Sequence, residues 1–257
     1  MSDLIHIELS QRVLTLRFNR PDKKNAITRA MYTTLAEALT TATDDARTRA
    51  VLFVGAGDAF TSGNDLQDFL QAPPQPDEDA PVARFMRTLA DFPKPALAAI
   101  RGSAIGIGTT LLLHCDLIYA GRSARLQMPF VNLGICPEFA SSLLLPRIMG
   151  HARAAELLLL GEPFAAEQAR DYGLVNAVLD DDAVEAHALA QARKLAAKAP
   201  NAVRVTKTLL RHWQREQVFA AIGREAEHFL PMLRQPEATE ALTAFMQKRA
   251  ADFSRFE

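Results

Sequence analysis

The sequence has little of several things that mark specialised classes of protein: cysteine, excess charge of one sign and long apolar runs. Its two cysteines, Cys115 and Cys136, lie in apolar stretches without metal-ligand spacing, which favours buried thiols in a reducing compartment. Lys and Arg total 29 against 30 Asp and Glu, so the net charge of −1 gives no global basic field. We therefore expect no nucleic-acid partner and no membrane partner.

No apolar run approaches the roughly 20 residues that a membrane-spanning helix needs. The longest candidate, residues 111–120, is interrupted by His114 and Asp116. Residues 1–14 alternate polar and apolar side chains, so no signal peptide is expected, and residues 255–257 do not form a peroxisomal address. With 49% hydrophobic and 23% charged residues, the 257-residue chain has the composition of a globular protein, and a cytoplasmic location is predicted.

The most informative feature present is a strand that breaks at a glycine and reopens as a helix, and it occurs twice. The apolar run 51–54 leads into residues 59–66, which read Ala-Phe-Thr-Ser-Gly-Asn-Asp-Leu, and strand 96–100 leads into the glycine-rich segment 102–110. Such breaks leave backbone N–H groups near the positive end of a helix dipole. Two of them can aim two donors at one oxygen, as an enolate requires. The pattern indicates acyl-thioester chemistry.

The remaining pattern predicts an α/β protein with a helical end. Strands are predicted at 5–9, 13–18, 50–54, 96–100 and 174–179, with Gln11 and Arg12 making the turn between the first two. Helices are predicted at 28–41, 65–70, 82–91, 111–120, 138–149, 152–160, 165–172 and 182–199. Thr28 is predicted to cap the start of the first helix, and Gly161 and Gly173 the ends of two later ones. Residues 73–79 are predicted to form a loop, and residues 201–253 to form helices that break near Gly223, Pro231 and Pro236. We expect a core in residues 1–200 and a helical region, residues 201–257, that packs against the core or a neighbouring subunit.

Five ordered motifs resemble the crotonase, or enoyl-CoA hydratase/isomerase, superfamily. They lie at 19–27, 59–66, 102–110, 115–120 and 129–178. This resemblance covers almost the whole chain and implies a spiral of repeated ββα units with a C-terminal helical region that forms homotrimers or dimers of trimers. It also implies an acyl-CoA substrate, of which coenzyme A is a part, with no metal or other cofactor.

The same resemblance assigns roles to individual residues. The thioester oxygen is expected between the backbone amides of Ser62 and Ile107, with Glu138 as the catalytic base. The expected substrate-binding residues are Lys24, Ala26, Ser62, Gly63, Asn64, Asp65, Leu66, Gly106, Ile107 and Phe130. Lys24 and Ala26 belong to the loop that resembles the contact to the adenine end of CoA. Residues near Phe245 and Lys248 resemble those that reach a neighbouring subunit's CoA.

The reaction is inferred from the carboxylates. The hydratase branch of the superfamily uses two glutamates to activate a water, and their positions are occupied here by Thr110 and Phe130, neither of which is a base. The sequence around Glu138 instead resembles the peroxisomal-type Δ3,Δ2-enoyl-CoA isomerases, in which the glutamate after a proline is the base. A carboxylate among Phe130, Phe139 and Leu143 should have a raised pKa, and it can take a proton from C2 and return it at C4. We predict an isomerase that converts 3-enoyl-CoA to 2-trans-enoyl-CoA in the degradation of fatty acids or related acyl-CoAs.

Several alternatives remain open from the sequence. The chain could be a hydratase or another acyl-CoA lyase that uses Glu138 in a different role, or a non-catalytic oligomer that binds acyl-CoA. Glu138 could also be an ordinary first-turn helix residue. Three further residues are expected to be structural: Asp65 as a helix-start carboxylate, Asp116 in a buried ion pair or cap, and His114 as a satisfied core or interface histidine.

Overall fold

The computed structural model describes residues 4–71 and 80–256 of the chain, and the loop predicted at residues 73–79 lies outside them. The strands are β1 (Ile5–Ser10), β2 (Val13–Phe18), β3 (Ala50–Gly55), β4 (Ala96–Ile100), β5 (Ser103–Ile105), β6 (Leu117–Gly121), β7 (Arg125–Gln127), β8 (Phe164–Ala165) and β9 (Ala177–Leu179). The helices are α1 (Arg29–Asp44), α2 (Leu66–Gln71), α3 (Pro81–Ala90), α4 (Ile107–Thr110), α5 (Ser141–Met149), α6 (His151–Leu160), α7 (Ala166–Asp171), α8 (Val184–Ala196), α9 (Pro200–His212), α10 (Arg215–Met232) and α11 (Pro236–Met246).

Two sheets organise the first part of the chain. The larger has the strand order β1-β2-β3-β4-β6-β9, in which β1 and β2 form an antiparallel hairpin and the other pairs are parallel. Every residue of β3 and β4 is buried, as expected for parallel strands that are covered on both faces. The smaller sheet has the order β5-β7-β8. It places β5, which belongs to the glycine-rich segment 102–110, beside β7.

Local sequence explains the first elements well. Gln11 and Arg12, at the hairpin turn between β1 and β2, both have positive φ, as a two-residue hairpin turn requires. Thr28 caps α1, because its side-chain oxygen accepts a hydrogen bond from the amide of Met31 at 3.4 Å. One face of the large sheet is covered by α8, whose buried residues recur every four positions. The predicted hairpin and the predicted cap at Thr28 are both confirmed.

The helix predicted at residues 111–120 is wrong. The helical segment begins earlier, at Ile107, continues as a 3-10 turn through Leu111–His114, and gives way to strand β6. Asp116 causes the change, because its amide donates to the carbonyl of Ala96 and its carboxylate accepts from the amide of Ala96. This pairing starts β6 alongside β4. A short apolar run that is buried on both faces has no period that distinguishes strand from helix.

The helix break predicted near Gly223 is also wrong, because α10 runs through Gly223, beside which there is open space. The breaks predicted near Pro231 and Pro236 are confirmed, since α10 ends at Met232, directly after Pro231, and α11 begins at Pro236. A proline in the last turn of a helix removes one amide donor without interrupting further turns. A further break, at residues 213–214, was not predicted.

Buried charges attach the C-terminal helices to the sheet. Lys207 and Arg211 of α9 form ion pairs with Asp116 at 2.8 and 2.9 Å, and Arg211 also donates to the carbonyl of His114 at 2.7 Å. The predicted structural ion pair of Asp116 is therefore confirmed. The division of the chain at residue 200 stays a prediction. Across the described ranges, no helix has the length and apolar character that crossing a membrane requires.

Candidate active site

The two glycine-broken elements, residues 59–66 and residues 102–110, lie side by side. They are the first and the second amide element of the site. Thr61 pairs with Ala104 of β5 in a parallel bridge, in which the Thr61 amide donates to Ser103 and the Ile105 amide donates to Thr61. Gly63, with φ of +86°, approaches so closely that a Cβ atom there would lie 2.7 Å from the carbonyl oxygen of Ile105. Such an approach of two backbones needs glycine. The predicted juxtaposition of these segments is present.

The amide donors differ from the predicted pair at one position. The N–H of Ser62 donates to the carbonyl of Lys24 at 2.9 Å, so the prediction that Ser62 supplies an open donor is wrong. The turn at Gly63 leaves the next amide, that of Asn64, without a protein acceptor in the described part of the chain. On the second element, Ile107 is the first residue of α4, and its amide has no acceptor within that helix. The available pair is therefore Asn64 and Ile107.

Glu138 lies in the tight turn that precedes α5. Phe139 and Ala140 have φ values of +59° and +58°, and the helix begins only at Ser141. The helix predicted at 138–149 therefore begins three residues later than expected. The alternative interpretation of Glu138 as a first-turn helix residue is wrong. The Thr110 hydroxyl donates a 2.5 Å hydrogen bond to Oε1 of Glu138. Because Thr110 is one helical turn after Ile107, this bond places the carboxylate beside the second amide element.

The environment of Glu138 favours a protonated carboxyl group. The residue is half-buried, and burial is the main cause that raises its pKa from 4.5 to about 8. The hydrogen bond from Thr110 opposes this shift by stabilising the charged form, and the nearby negative charge of Glu225 adds to it. A carboxylate with a pKa near the working pH is suited to both accept and return a proton.

Tyr32 links the carboxylate to the first amide element. Its buried hydroxyl donates to the side-chain oxygen of Asn64 at 2.5 Å. Burial and the charge of Glu138 raise the pKa of Tyr32 well above its ordinary value, so the phenol stays a neutral donor. The charge of Glu138 therefore acts on the residue that bonds the Asn64 side chain.

His114 packs against the turn that follows Glu138, where it contacts Phe139. Its ring stacks on that of Phe139 with centroids 3.9 Å apart, and its Nε2 donates to the Phe139 carbonyl at 2.8 Å. Burial lowers its pKa to about 3, so the imidazole stays neutral. The prediction of a satisfied core histidine is confirmed.

Glu225, on α10, is the residue of this region that sequence reasoning missed. Its buried carboxylate accepts hydrogen bonds from the amides of Ala140 and Ser142, at 2.6 and 3.0 Å, and from the Ser142 hydroxyl. A signal existed in the sequence. Val218, Ile222 and Glu225 are spaced four and three residues apart, and all three are buried, so a glutamate occupies the apolar stripe of an amphipathic helix. A carboxylate in such a stripe needs polar partners.

The other predicted residues occupy the surroundings of the two elements. Phe130 is buried, and its carbonyl accepts from Leu133 and Ile135 in the turn that leads toward Glu138. Asp65 caps α2 by accepting from the amides of Gln67 and Asp68 and pairs with Arg20 at 2.9 Å, which confirms it as a helix-start carboxylate. Leu66, which begins α2, and Gly106, with φ of +57°, are half-buried.

The residues predicted to contact coenzyme A fall into two groups, one at Lys24 and Ala26 and one near Phe245 and Lys248. Lys24 is exposed in a left-handed conformation, and the carbonyl of Ala26 accepts from Arg20 at 2.8 Å. A cavity of about 540 Å³ between α2 and α11 is lined by Leu66, Phe245 and Lys248, among others. Contacts of these residues with coenzyme A stay predictions. A larger cavity, of about 1040 Å³, lies between α1, α3, α9 and α10 and contains none of the predicted site residues.

The two described cysteines differ in exposure. Cys115 is buried as predicted, while Cys136 is half-buried, and burial raises the thiol pKa to about 12 and about 11, respectively. Among residues 4–71 and 80–256, no three His, Cys, Asp or Glu side chains are grouped to hold a metal ion. The absence of a metal or redox cofactor from the reaction stays a prediction.

The geometry therefore combines one carboxylate of raised pKa with two backbone amides, those of Asn64 and Ile107, on the two glycine-broken elements. The family model described as enoyl-CoA hydratase/isomerase matches residues 8–255. The chain belongs to the enoyl-CoA hydratase/isomerase family.

Individual relatives point to related reactions. The chain is 37% identical to enoyl-CoA delta isomerase 2 of Rattus norvegicus over 92% of this chain, and it spans 62% of the length of that relative. It is 35% identical to 1,2-epoxyphenylacetyl-CoA isomerase of Escherichia coli (strain K12) over 99% of both chains. A hydratase also matches, since 2,3-dehydroadipyl-CoA hydratase of the same organism is 33% identical over 98% of this chain and 99% of its own.

Among solved structures, OdaA of Pseudomonas aeruginosa superposes with a TM-score of 0.92 and 55% identity, over 95% of this chain and 99% of its own. The predicted α/β crotonase-type fold with a helical C-terminal region is thereby confirmed. Trimer formation by that region stays a prediction.

Proposed function

We propose that this protein is a Δ3,Δ2-enoyl-CoA isomerase that moves the double bond of 3-enoyl-CoA to the 2-trans position. The observation that carries the proposal is the arrangement around Glu138. A single carboxylate with a pKa raised to about 8 lies beside an element that presents the Ile107 amide, while the Asn64 amide lies on the adjoining element. The name of the rat relative, an enoyl-CoA delta isomerase, supports this reaction, and the name of the Escherichia coli relative supports only the isomerisation of an acyl-CoA.

In the proposed reaction the ionised Glu138 carboxylate takes a proton from C2 of the substrate. The electrons of the broken C–H bond delocalise through the former C3–C4 double bond and onto the thioester oxygen. This oxygen would accept hydrogen bonds from the amides of Asn64 and Ile107, which stabilise the dienolate. The protonated Glu138 then gives the proton to C4, so the new double bond joins C2 and C3 and no net proton is consumed.

The surroundings of Glu138 favour proton transfer over the addition of water. Thr110 already donates its hydroxyl to Glu138, and Phe130 is a buried apolar side chain. Neither position provides a second base to activate a water. An acid–base group shielded from solvent also keeps the proton that it has removed available for return.

The test is a comparison of two substrates by absorbance, because a conjugated 2-enoyl thioester absorbs in the near ultraviolet and a 3-enoyl thioester does not. We expect the purified protein to raise the absorbance of a 3-enoyl-CoA solution and to leave that of 2-trans-enoyl-CoA nearly unchanged. Loss of absorbance from 2-trans-enoyl-CoA without a gain from 3-enoyl-CoA would favour the hydratase alternative. Silence on both substrates, together with acyl-CoA binding, would favour the non-catalytic alternative.

The proposal includes assembly as a homotrimer or a dimer of trimers in the cytoplasm, with no metal or redox cofactor. Leu209, Leu210 and Trp213 support assembly, because 65%, 76% and 86% of these apolar side chains is exposed on and just after α9. Light scattering at micromolar concentration is expected to give a trimer or hexamer, and a monomer would contradict it. Activity that a chelator removes and a metal restores would contradict the absence of a cofactor.

A further inference from the structure

The turn that carries Glu138 is strained. Phe139 and Ala140 both adopt left-handed backbone conformations, which residues with a Cβ atom rarely occupy. Such a conformation is strained and persists only where the surroundings impose it. Because the direction of the Glu138 side chain depends on this backbone, whatever imposes the turn also aims the carboxylate.

Glu225 is the group that meets the turn most directly. One carboxylate oxygen accepts from the Ala140 amide at 2.6 Å, and the other accepts from the Ser142 amide and hydroxyl. These bonds satisfy amides at the start of α5. Burial raises the pKa of Glu225, and the three donors oppose that shift because they stabilise the ionised form. The backbone of Glu225 is engaged as well, since its carbonyl accepts a contact from the Cys136 thiol at 3.6 Å. Helix α10 thus holds the chain on both sides of Glu138.

We propose that Glu225 is a positioning residue for the reaction: its carboxylate fixes the Phe139–Ala140 turn so that Glu138 faces the two amide donors. This inference rests on the proposed function, in which Glu138 is the base. Glu225 itself touches no substrate atom in this scheme. The candidate site is therefore completed by the C-terminal helices, more than 80 residues further along the chain.

The charge of Glu225 gives this role a signature that a purely structural cap would lack. Its negative charge raises the pKa of Glu138 and also that of the Cys136 thiol. Ser142 on α5, Tyr32 on α1, Thr110 on α4 and Cys136 before the turn are polar or titratable groups that face the two glutamates. Among the described residues, no lysine or arginine forms an ion pair with either carboxylate. Neutralising Glu225 should therefore lower the pKa of Glu138.

The experiment compares E225Q and E225A with wild type, using E227Q as a control on an exposed position of the same helix. For E225A we expect kcat to fall about 10- to 100-fold through misplacement of the base, with KM within about threefold. For E225Q we expect a smaller fall in kcat, because the glutamine oxygen still accepts from one of the two backbone amides. The other amide loses its acceptor whichever way the side-chain amide is turned. We also expect the acid limb of the kcat profile of E225Q to move to lower pH, and E227Q to leave kcat and the limb in place.

Two results would overturn the proposal. One is a kcat for E225A within about twofold of wild type. The other is an E225Q enzyme whose acid limb does not move and whose activity falls only in proportion to its loss of folded protein. If E225A does not fold, the kcat and the pH profile of E225Q decide the test. A wild-type enzyme without isomerase activity would instead defeat the proposed function, whatever the Glu225 variants do.

Discussion

The two amide donors of the candidate site are held by backbone, whereas its carboxylate is held by side chains. The Asn64 and Ile107 amides are set by a parallel bridge between neighbouring strands and by the close approach of Gly63 to Ile105. Glu138 depends on Thr110 from α4 and on Glu225 from α10. The donors are thus set by backbone pairing between neighbouring segments, and the base is aimed by side chains of two helices, α4 and α10. Each half should fail in its own way.

Among the substitutions that leave Glu138 itself in place, the largest effect is expected from G63A, which disturbs the backbone that holds the amide donors. A Cβ atom would lie 2.7 Å from the Ile105 carbonyl oxygen at a φ of +86°, so the strand bridge must shift and carry the Asn64 amide with it. Loss of one oxyanion donor typically lowers kcat about 10²–10³-fold. Steady-state kinetics on 3-enoyl-CoA measure this.

The matched control is G173A. Gly173 has nearly the same φ, +85°, but its added Cβ would come no closer than 3.7 Å to Ile148. It therefore carries the backbone strain without the clash and should keep its kcat. Equal losses of kcat in both variants would show that strain alone is responsible and would contradict the assignment of the Asn64 turn.

The next prediction concerns D116N, which should weaken the attachment of the C-terminal helices without changing the position of Glu138. In D116N the buried Lys207 loses its carboxylate partner, and the side chain of Lys207 is only 7% exposed. We expect the free energy of unfolding to fall by about 2–4 kcal/mol, the range for a broken buried ion pair. Asp116 does not contact Glu138, so kcat per folded molecule should stay within about twofold of wild type.

Denaturant unfolding measures this loss, with D180N as the control. Asp180 pairs with Arg122 at a surface site where both side chains are mostly exposed, so its replacement should cost less than about 1 kcal/mol. Equal destabilisation by the two substitutions would contradict the role given to Asp116.

A smaller effect is expected from T110V, which tests how Thr110 tunes the base. The Thr110 hydroxyl donates to Glu138 and so lowers the pKa of that carboxyl group from the still higher value that burial alone would give. Without the donor the pKa should rise, and the acid limb of kcat should move to higher pH. At neutral pH we expect kcat to fall by about threefold to tenfold, with recovery as the pH increases. The control is T109V, which removes a hydroxyl that donates to the Ala104 carbonyl and should leave the acid limb of kcat in place. An acid limb that does not move in T110V would contradict the effect of Thr110 on the pKa of Glu138.

Local features of the fold could be predicted from sequence where one residue decides the backbone. The cap at Thr28, the turn at Gln11 and Arg12 and the caps at Gly161 and Gly173 are of this kind. The error at residues 111–120 arose because β6 is apolar on both faces and has neither helical nor alternating periodicity. There the deciding contact is with β4, which the local sequence does not contain.

The candidate site shows the same division. The strand–glycine–helix pattern indicated the two glycine-broken elements, and the resemblance to a known superfamily selected Glu138 but placed one donor at Ser62. The choice between Ser62 and Asn64 depends on which amide the Lys24 carbonyl accepts, a contact between segments nearly 40 residues apart. Glu225 was missed because its partners, Ala140 and Ser142, are more than 80 residues away. Only its place in an apolar helical stripe marked it as unusual.

The most direct test of the central claim is E138Q assayed on 3-enoyl-CoA. Glutamine keeps the size of the side chain but cannot accept the C2 proton, so we expect kcat to fall at least about 10²–10⁴-fold while acyl-CoA binding is retained. Because folding raises the pKa of Glu138 from 4.5 to about 8, this carboxyl group favours the folded state below the lower value, and that contribution is lost as the pH rises through the upper one. E138Q should thus be at least as stable as wild type above pH 8, which excludes unfolding as the cause of its inactivity. Retention of more than about a tenth of the wild-type activity, a barrier change of only ~1.4 kcal/mol, would contradict the assignment of Glu138 as the single base.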